Sequence, residues 1–295
     1  MKLFVAGKSG QVALSLADVA NEFEADILFA GRPDYDLTNE DAVRQAIDSF
    51  EPDAILNAAA YTAVDAAETD EKTAFAINAD GAALLARAAA DHKIPFLHLS
   101  TDYVFDGTKN GAYSEEDQPA PTGVYGKSKL AGERLIQDIN PDALIFRTAW
   151  VYSPHGKNFL KTMLTLAESR TELGVVGDQV GNPTYAPDIA CALLTALYHM
   201  WEVPRASGYG GIYHMAGMGA ASWFDFATAI FEEANTYGHP CPTVSSITTD
   251  DYPTPAKRPA NSTLNCGKLD DNFCIQLPYW RDSMKSCIKK LLEKN

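Results

Sequence analysis

The chain has little that would staple it, span a membrane or repeat. Its 5 cysteines, Cys191, Cys241, Cys266, Cys274 and Cys287, are odd in number, and no two are spaced C-x-x-C. That argues against a disulfide framework or a zinc knuckle and for reduced thiols in a cytosol. No stretch approaches the ~18 consecutive apolar residues of a membrane span. The apolar start (MKLFVAG) is too short for a secretory leader. A cytoplasmic protein with no membrane partner is expected. Basic charge is also scarce, with 24 Lys and Arg against 39 Asp and Glu and a net charge of -15. That argues against a nucleic-acid partner, which needs a basic surface. An anionic ligand would need a local basic pocket against the overall field. The six histidines (His92, His98, His155, His199, His214 and His239) are scattered and define no metal cluster. His98 lies within an apolar run and reads as a core residue. There is no internal repeat and no low-complexity tract.

What is present is an ordinary globular composition, 46% hydrophobic and 21% charged over 295 residues, enough to bury a large core unaided. Short apolar runs at 2–6, 26–30, 54–57, 95–100 and 143–148 alternate with helical segments at 11–24, 39–50, 74–92 and 125–138. This alternation predicts an α/β fold, a Rossmann-like doubly wound parallel sheet with helices on both faces. The second half is less regular. Helices are expected at 159–169, 188–201 and 222–234, with a strand at 211–216. The proline-rich stretch DYPTPAKRP at 251–259 reads as an extended loop lying over another part of the fold. No linker separates the halves. The expected division is a dinucleotide-binding domain at 1–152, with parts of 185–216 returning to it, and a smaller, interleaved and mainly substrate-binding domain at 153–295.

Two motifs carry chemistry. Gly7-Lys8-Ser9-Gly10-Gln11-Val12-Ala13 follows the first strand and opens the first helix, fitting G-x-x-G-x-x-G/A with Ala13 in the last place. Glycine allows a tight turn and close approach of a pyrophosphate, and the helix offers unpaired N–H groups to it. The second strand ends Ala30-Gly31-Arg32, with no acid to hold the 2′-hydroxyl of NAD. An arginine there suits the 2′-phosphate of NADP, so NADPH is favoured over NADH. Downstream, Tyr125 and Lys129 stand four apart on a predicted helix, one turn from each other. An ammonium held there lowers the phenol pKa and lets the tyrosine exchange a proton with an alkoxide. Thr101 could hold the same oxygen. Spacing alone also fits a solvated lysine beside a half-buried tyrosine, and the motif gains weight only with the glycine turn upstream.

Taken together, these stretches resemble the extended short-chain dehydrogenase/reductases and, within them, the dTDP-4-dehydrorhamnose reductase family. The resemblance runs through GKSGQV at 7–12, DLTN at 36–39, NAAAYTAVDAAE at 57–68, STDYVFDG at 100–107, VYGKSKLAGE at 124–133, FRTAWVY at 146–152, NFLKTML at 158–164, GNPT at 181–184 and YPTPAKRPANSTL at 252–264. It implies reduction of the C4 ketone of a dTDP-linked 4-keto-6-deoxy sugar by NADPH or NADH. Tyr125 would be the proton donor, Lys129 would tune it and bind the nicotinamide ribose, and Thr101 would sit beside the carbonyl. Gly7, Gly10, Gln11 and Val12 would hold the cofactor's pyrophosphate end. Arg32, Asp36 and Leu37 would lie at its adenosine end, and Ala59, Ala60 and Tyr61 along its middle. Thr101, Asp102, Tyr103 and Trp150 would contact the sugar, and Arg258 would offset the nucleotide diphosphate. Two departures stand out: Tyr61 replaces a histidine of well-known members, and Ala13 replaces a glycine. The family sometimes uses magnesium at a subunit contact, but no residue here is assigned to it, and a homodimer is left open. Two other roles share parts of the pattern, an epimerase or 4,6-dehydratase for nucleotide sugars and a non-catalytic NADP-binding regulatory subunit.

Overall fold

The computed structural model describes residues 1–206 and 208–293. Its centre is a six-stranded parallel sheet. The strands lie in the order Gly211–His214, Leu144–Thr148, Phe96–Thr101, Ala54–Asn57, Lys2–Ala6 and Asp26–Ala30. Successive residues of a strand face opposite sides. Leu3 and Val5 thus join one core with Leu56, Leu97, Phe146, Ile189 and Leu193. Phe4 joins the other, with Ile47, Ile55, Leu85, Phe96 and Ile145. Because both faces are covered, these strands read as continuous apolar runs.

From Lys2–Ala6 the chain steps to one side to form Asp26–Ala30, then returns to form Ala54–Asn57 on the other. Such a reversal leaves a crevice beyond the carboxyl ends of the strands, where ligands bind in open α/β sheets. The first helix, Gln11–Val19, starts at this crevice. The predicted helix at 74–92 is a continuous helical stretch with a π-turn at Ala76–Gly81. That turn carries Asn78, whose amide pairs with both backbone groups of Tyr61 and donates to Ser128 Oγ at 2.9 Å.

The second half contributes to two places. Helix Ala186–Glu202 packs on Gln11–Val19, and strand Gly211–His214 extends the main sheet. Helices Phe159–Ala167, Trp223–Asn235 and Trp280–Leu292 enclose a separate core around Tyr152, Phe226, Phe231 and Trp280. The strand predicted at 211–216 stops at His214, and the first helix stops at Val19 rather than Glu24. Among the described residues, no helix is long and apolar enough to cross a membrane.

Helix Val124–Ile139 is bolted to the sheet by a buried ion pair. Glu133 accepts from Arg147 Nε at 2.9 Å and Nη2 at 2.6 Å, and from Ser100 Oγ at 2.5 Å. Both charged side chains are 1% exposed. Removing one partner of such a pair strands the other charge. Glu133→Leu is therefore expected to lower unfolding free energy by roughly 3–5 kcal/mol, measured by urea denaturation, while the pair replacement Glu133→Leu with Arg147→Met loses much less.

Candidate active site

A cleft of about 1080 Å³ opens at the carboxyl ends of the strands. Its floor begins at Gly7, whose φ of +116° is open mainly to glycine; a Cβ there would also meet the Ala58 carbonyl carbon at 3.2 Å. The helix that follows starts at Gly10 with no side-chain cap and no acidic residue in its first turn. Its first N–H groups are left to the cleft, an arrangement suited to a pyrophosphate. The side chain of Gln11 does not face that anion. It donates to Val151 O at 3.2 Å and accepts from Ser153 Oγ and Asn158 Nδ2, each at 2.9 Å, tying the first helix to the segment that enters the second core.

At the far end of this floor lie Arg32, Asp36 and Leu37. Asp36 accepts from the backbone N–H and hydroxyl of Thr38, which hold its carboxyl below the usual carboxylate range. Lys8 adds a second cation there, 2.5 Å from Asp34; its place inside the glycine turn gives no hint of this in the sequence. Ala59 and Ala60 line the middle of the cleft. Tyr61 is not among the lining residues: Asn78 clamps its backbone, and its phenol faces Asp70.

The inner end gathers Thr101, Asp102, Tyr103, Tyr125, Lys129 and Trp150. Thr101 ends a sheet strand, and its hydroxyl donates to Asp102 Oδ1 at 3.0 Å. It also lies against the phenol of Tyr125. Tyr103 packs edge-on to Tyr125 with ring centroids 5.5 Å apart. Gly126 lets this helix dock against the Tyr103 carbonyl, a place no Cβ could share.

The electrostatics differ from the simple picture of a lysine acidifying a tyrosine. Burial pushes the Tyr125 phenol well above its ordinary value, with the Thr101 hydroxyl pulling it back and Asp102 pushing it further. Lys129 does not offset this, because its ammonium is turned inward, 2.7 Å from Leu99 O and 3.1 Å from His98 Nε2. Burial pulls Lys129 itself down to about 8, against the opposing pull of Glu133. Four-residue spacing brings two Cβ atoms together but does not say where a long side chain ends. Burial likewise raises Asp102 to about 6. Its Oδ2 has no hydrogen-bond partner; the Ser262 hydroxyl is near enough to favour the charge but lacks hydrogen-bond geometry.

Arg258 stands outside the lining, on the proline-rich loop. It donates to Asp65 Oδ2 at 2.7 Å and to the Tyr103 hydroxyl at 3.2 Å, and Asp65 Oδ1 also accepts from Ala256 N at 3.2 Å. Trp150 has a left-handed φ of 48°. Its indole is stacked on Trp223 with centroids 3.5 Å apart and planes 3° from parallel, and Phe159 packs against Trp223 in turn. Gly181 gives room to the Nε1–Cε2 edge of its indole. Nothing in the sequence marked Trp223, since a tryptophan at the start of an amphipathic helix looks like any core anchor. Among the described residues, no three His, Cys, Asp or Glu side chains are grouped to hold a metal ion.

A glycine cradle at the switch point and a Tyr–Lys–Thr group at its inner end define an oxidoreductase of the short-chain dehydrogenase/reductase kind, on a Rossmann-like fold. A family model described as the RmlD substrate binding domain matches residues 1–293. The dTDP-4-dehydrorhamnose reductase of Sinorhizobium fredii (strain NBRC 101917 / NGR234) is 47% identical, over 99% of this chain and 98% of that protein. The chain belongs to the dTDP-4-dehydrorhamnose reductase family. The solved structure of that enzyme from Bacillus anthracis str. Ames, in complex with NADP, is 34% identical with a TM-score of 0.90, covering 98% of this chain and 99% of that one. UDP-glucose 4-epimerase of Thermus thermophilus, complexed with NAD, has a TM-score of 0.78 over 99% of both chains at 18% identity, a likeness of fold alone.

The stacked indoles make a spectroscopic marker of this wall. Trp223→Leu is expected to abolish the coupled-indole signal in near-ultraviolet circular dichroism and to cost about 1 kcal/mol beyond lost packing area. An unchanged spectrum would show that the two rings are not stacked.

Proposed function

We propose that this protein reduces the C4 ketone of dTDP-4-dehydro-L-rhamnose to dTDP-L-rhamnose, with NADPH as hydride donor. What supports this is the convergence of Tyr125, Thr101 and Asp102 at the inner end of a cleft whose floor includes an uncapped helix start suited to an anion. Bound NADPH supplies the hydride. Gly7, Gly10 and the first N–H groups of the Gln11–Val19 helix hold its pyrophosphate, and Arg32 meets the 2′-phosphate, with Lys8 able to join it by leaving Asp34. These cations favour NADPH over NADH.

As charge builds on the sugar oxygen, the Tyr125 phenol gives up its proton to it, and the Thr101 hydroxyl turns its single proton from Asp102 Oδ1 to the same oxygen. The raised pKa of the free phenol keeps Tyr125 protonated and ready to donate until that moment. Lys129 beneath it supplies the replacement proton. Asp102 accepts a sugar hydroxyl through Oδ2, Trp150 packs on the sugar ring, and Arg258 exchanges Asp65 for the nucleotide diphosphate, which suits a planar guanidinium. Residues 1–152, with the helix and strand of 186–214, then form the cofactor half, and the remainder mainly the substrate half. The five free cysteines suit a reducing compartment, and the cytoplasm is the proposed location.

Tyr125→Phe is expected to abolish NADPH oxidation with the 4-keto sugar nucleotide while NADPH still binds, followed by its fluorescence. Near-normal turnover in that variant would sink the proposal. A second measurement addresses Asp102. Its carboxyl is ionised above about 6 and becomes protonated as pH falls through that value. KM for the sugar nucleotide should therefore rise as pH drops below about 6, and Asp102→Asn should be weak-binding and flat across the same range.

A further inference from the structure

The surroundings of Lys129 bear on how its proton is handled. His98 is fully buried, and Asn57 fixes its tautomer. Asn57 Oδ1 accepts the N–H of Ala59 at 3.1 Å, so Nδ2 is the atom that faces His98 Nδ1 at 3.0 Å. An amide nitrogen only donates, so Nδ1 must accept and the ring proton sits on Nε2. Nε2 in turn lies 3.1 Å from Lys129 Nζ. An ammonium has three donors and no acceptor. At this contact a charged lysine would set donor against donor. A neutral amine has a lone pair for the Nε2–H and still donates to Leu99 O at 2.7 Å.

Burial pushes both groups the same way. It holds Lys129 at about 8 and keeps His98 far below its ordinary range, so the imidazole stays neutral and its Nδ1 remains free to accept from Asn57. The other titratable or charged groups around the lysine are few. Glu133, one turn on, is occupied by Arg147 and Ser100, and Tyr125, one turn back, is neutral. Asp102 lines the cleft with it.

We propose that His98, oriented by Asn57, is a positioning residue that holds the neutral amine of Lys129, the form the lysine takes when it has given up its proton toward Tyr125. This holds only if Tyr125 and Lys129 are the catalytic pair proposed above. As the sugar O–H bond forms, the Tyr125 O–H bond breaks. The tyrosinate regains its proton as a Lys129 N–H bond breaks, directly or through a hydroxyl bound between them. His98 then donates a hydrogen bond, not a proton, to the freed lone pair, and Lys129 later recovers its proton from solvent. The amine turns about its Cε–Nζ bond to bring that lone pair to the Nε2–H, a donor that is in place before substrate arrives.

The test is the pH profile of kcat at saturating NADPH and 4-keto sugar nucleotide. The alkaline limb of the natural protein should fall near pH 8, where Lys129 loses its proton. His98→Gln can turn a carbonyl oxygen to the ammonium. Asn57→Asp keeps an acceptor for Ala59 N–H and offers a second to His98 Nδ1, drawing the ring proton off Nε2. Both variants favour the charged lysine, and each should move the limb upward by about one pH unit, the worth of one hydrogen bond. The two perturb packing differently, so one serves if the other folds poorly, with thermal melts checking each. A histidine that merely fills space would lower stability or kcat without moving the limb. Limbs that stay in place in both variants overturn the role of His98 and leave Tyr125 and Lys129 untouched. Turnover by Tyr125→Phe would instead remove the catalytic pair itself.

Discussion

The site depends first on the Glu133 carboxylate. It is buried on the inner face of the helix that bears Tyr125 and Lys129, and it is held by Arg147 from one strand and Ser100 from the next. A charge in that position is tolerable only with its partners in place, which fixes the helix in rotation and in height over the sheet. Rotation decides which side chains enter the cleft. The same contact sets the carboxyl ends of two neighbouring strands, and from those ends come Thr101, Asp102 and Trp150. Pre-organised donors require such rigidity, because their advantage is lost if they must reorganise during the reaction.

Much of the architecture was legible in the sequence because burial on both faces writes strands as plain apolar runs. Lys2–Ala6, Asp26–Ala30 and Ala54–Asn57 lie where those runs placed them. Asn39 caps its helix, accepting from Ala42 N, and Ser222 caps a later one, accepting from Asp225 N. The two-residue strands at Val151–Tyr152, Val180–Gly181, Thr184–Tyr185 and Ala221–Ser222 were not foreseen, since two residues carry no periodicity. The helices at Gly267–Phe273 and Trp280–Leu292 were missed as well. There the chain gives its burial to partners far away in sequence.

Of the site, residue types and their order were readable, but the directions of long side chains were not. Gln11, Tyr61 and Lys129 all stand at the expected places along the chain. Yet Gln11 reaches across to Ser153 and Asn158, Tyr61 turns toward Asp70, and Lys129 points into the core. Each is a choice among rotamers made by burial and by distant hydrogen-bond partners. The same holds for His98, whose tautomer is settled by an amide from the neighbouring strand rather than by anything near it in sequence.

Asp65 gives the acidic character of the chain a local use. By holding both Arg258 and the backbone of Ala256, it acts as an internal counter-ion that keeps the proline-rich loop in one place before any ligand is present. On the proposed role of Arg258, arrival of a diphosphate is an exchange of anions rather than the filling of an empty charge. The guanidinium is paired within the protein, although the pair is partly open to solvent. In a protein with a net charge of -15, one carboxylate thus holds a cationic loop in place, and under the proposed function it sets the charge and shape that a ligand must match to displace it.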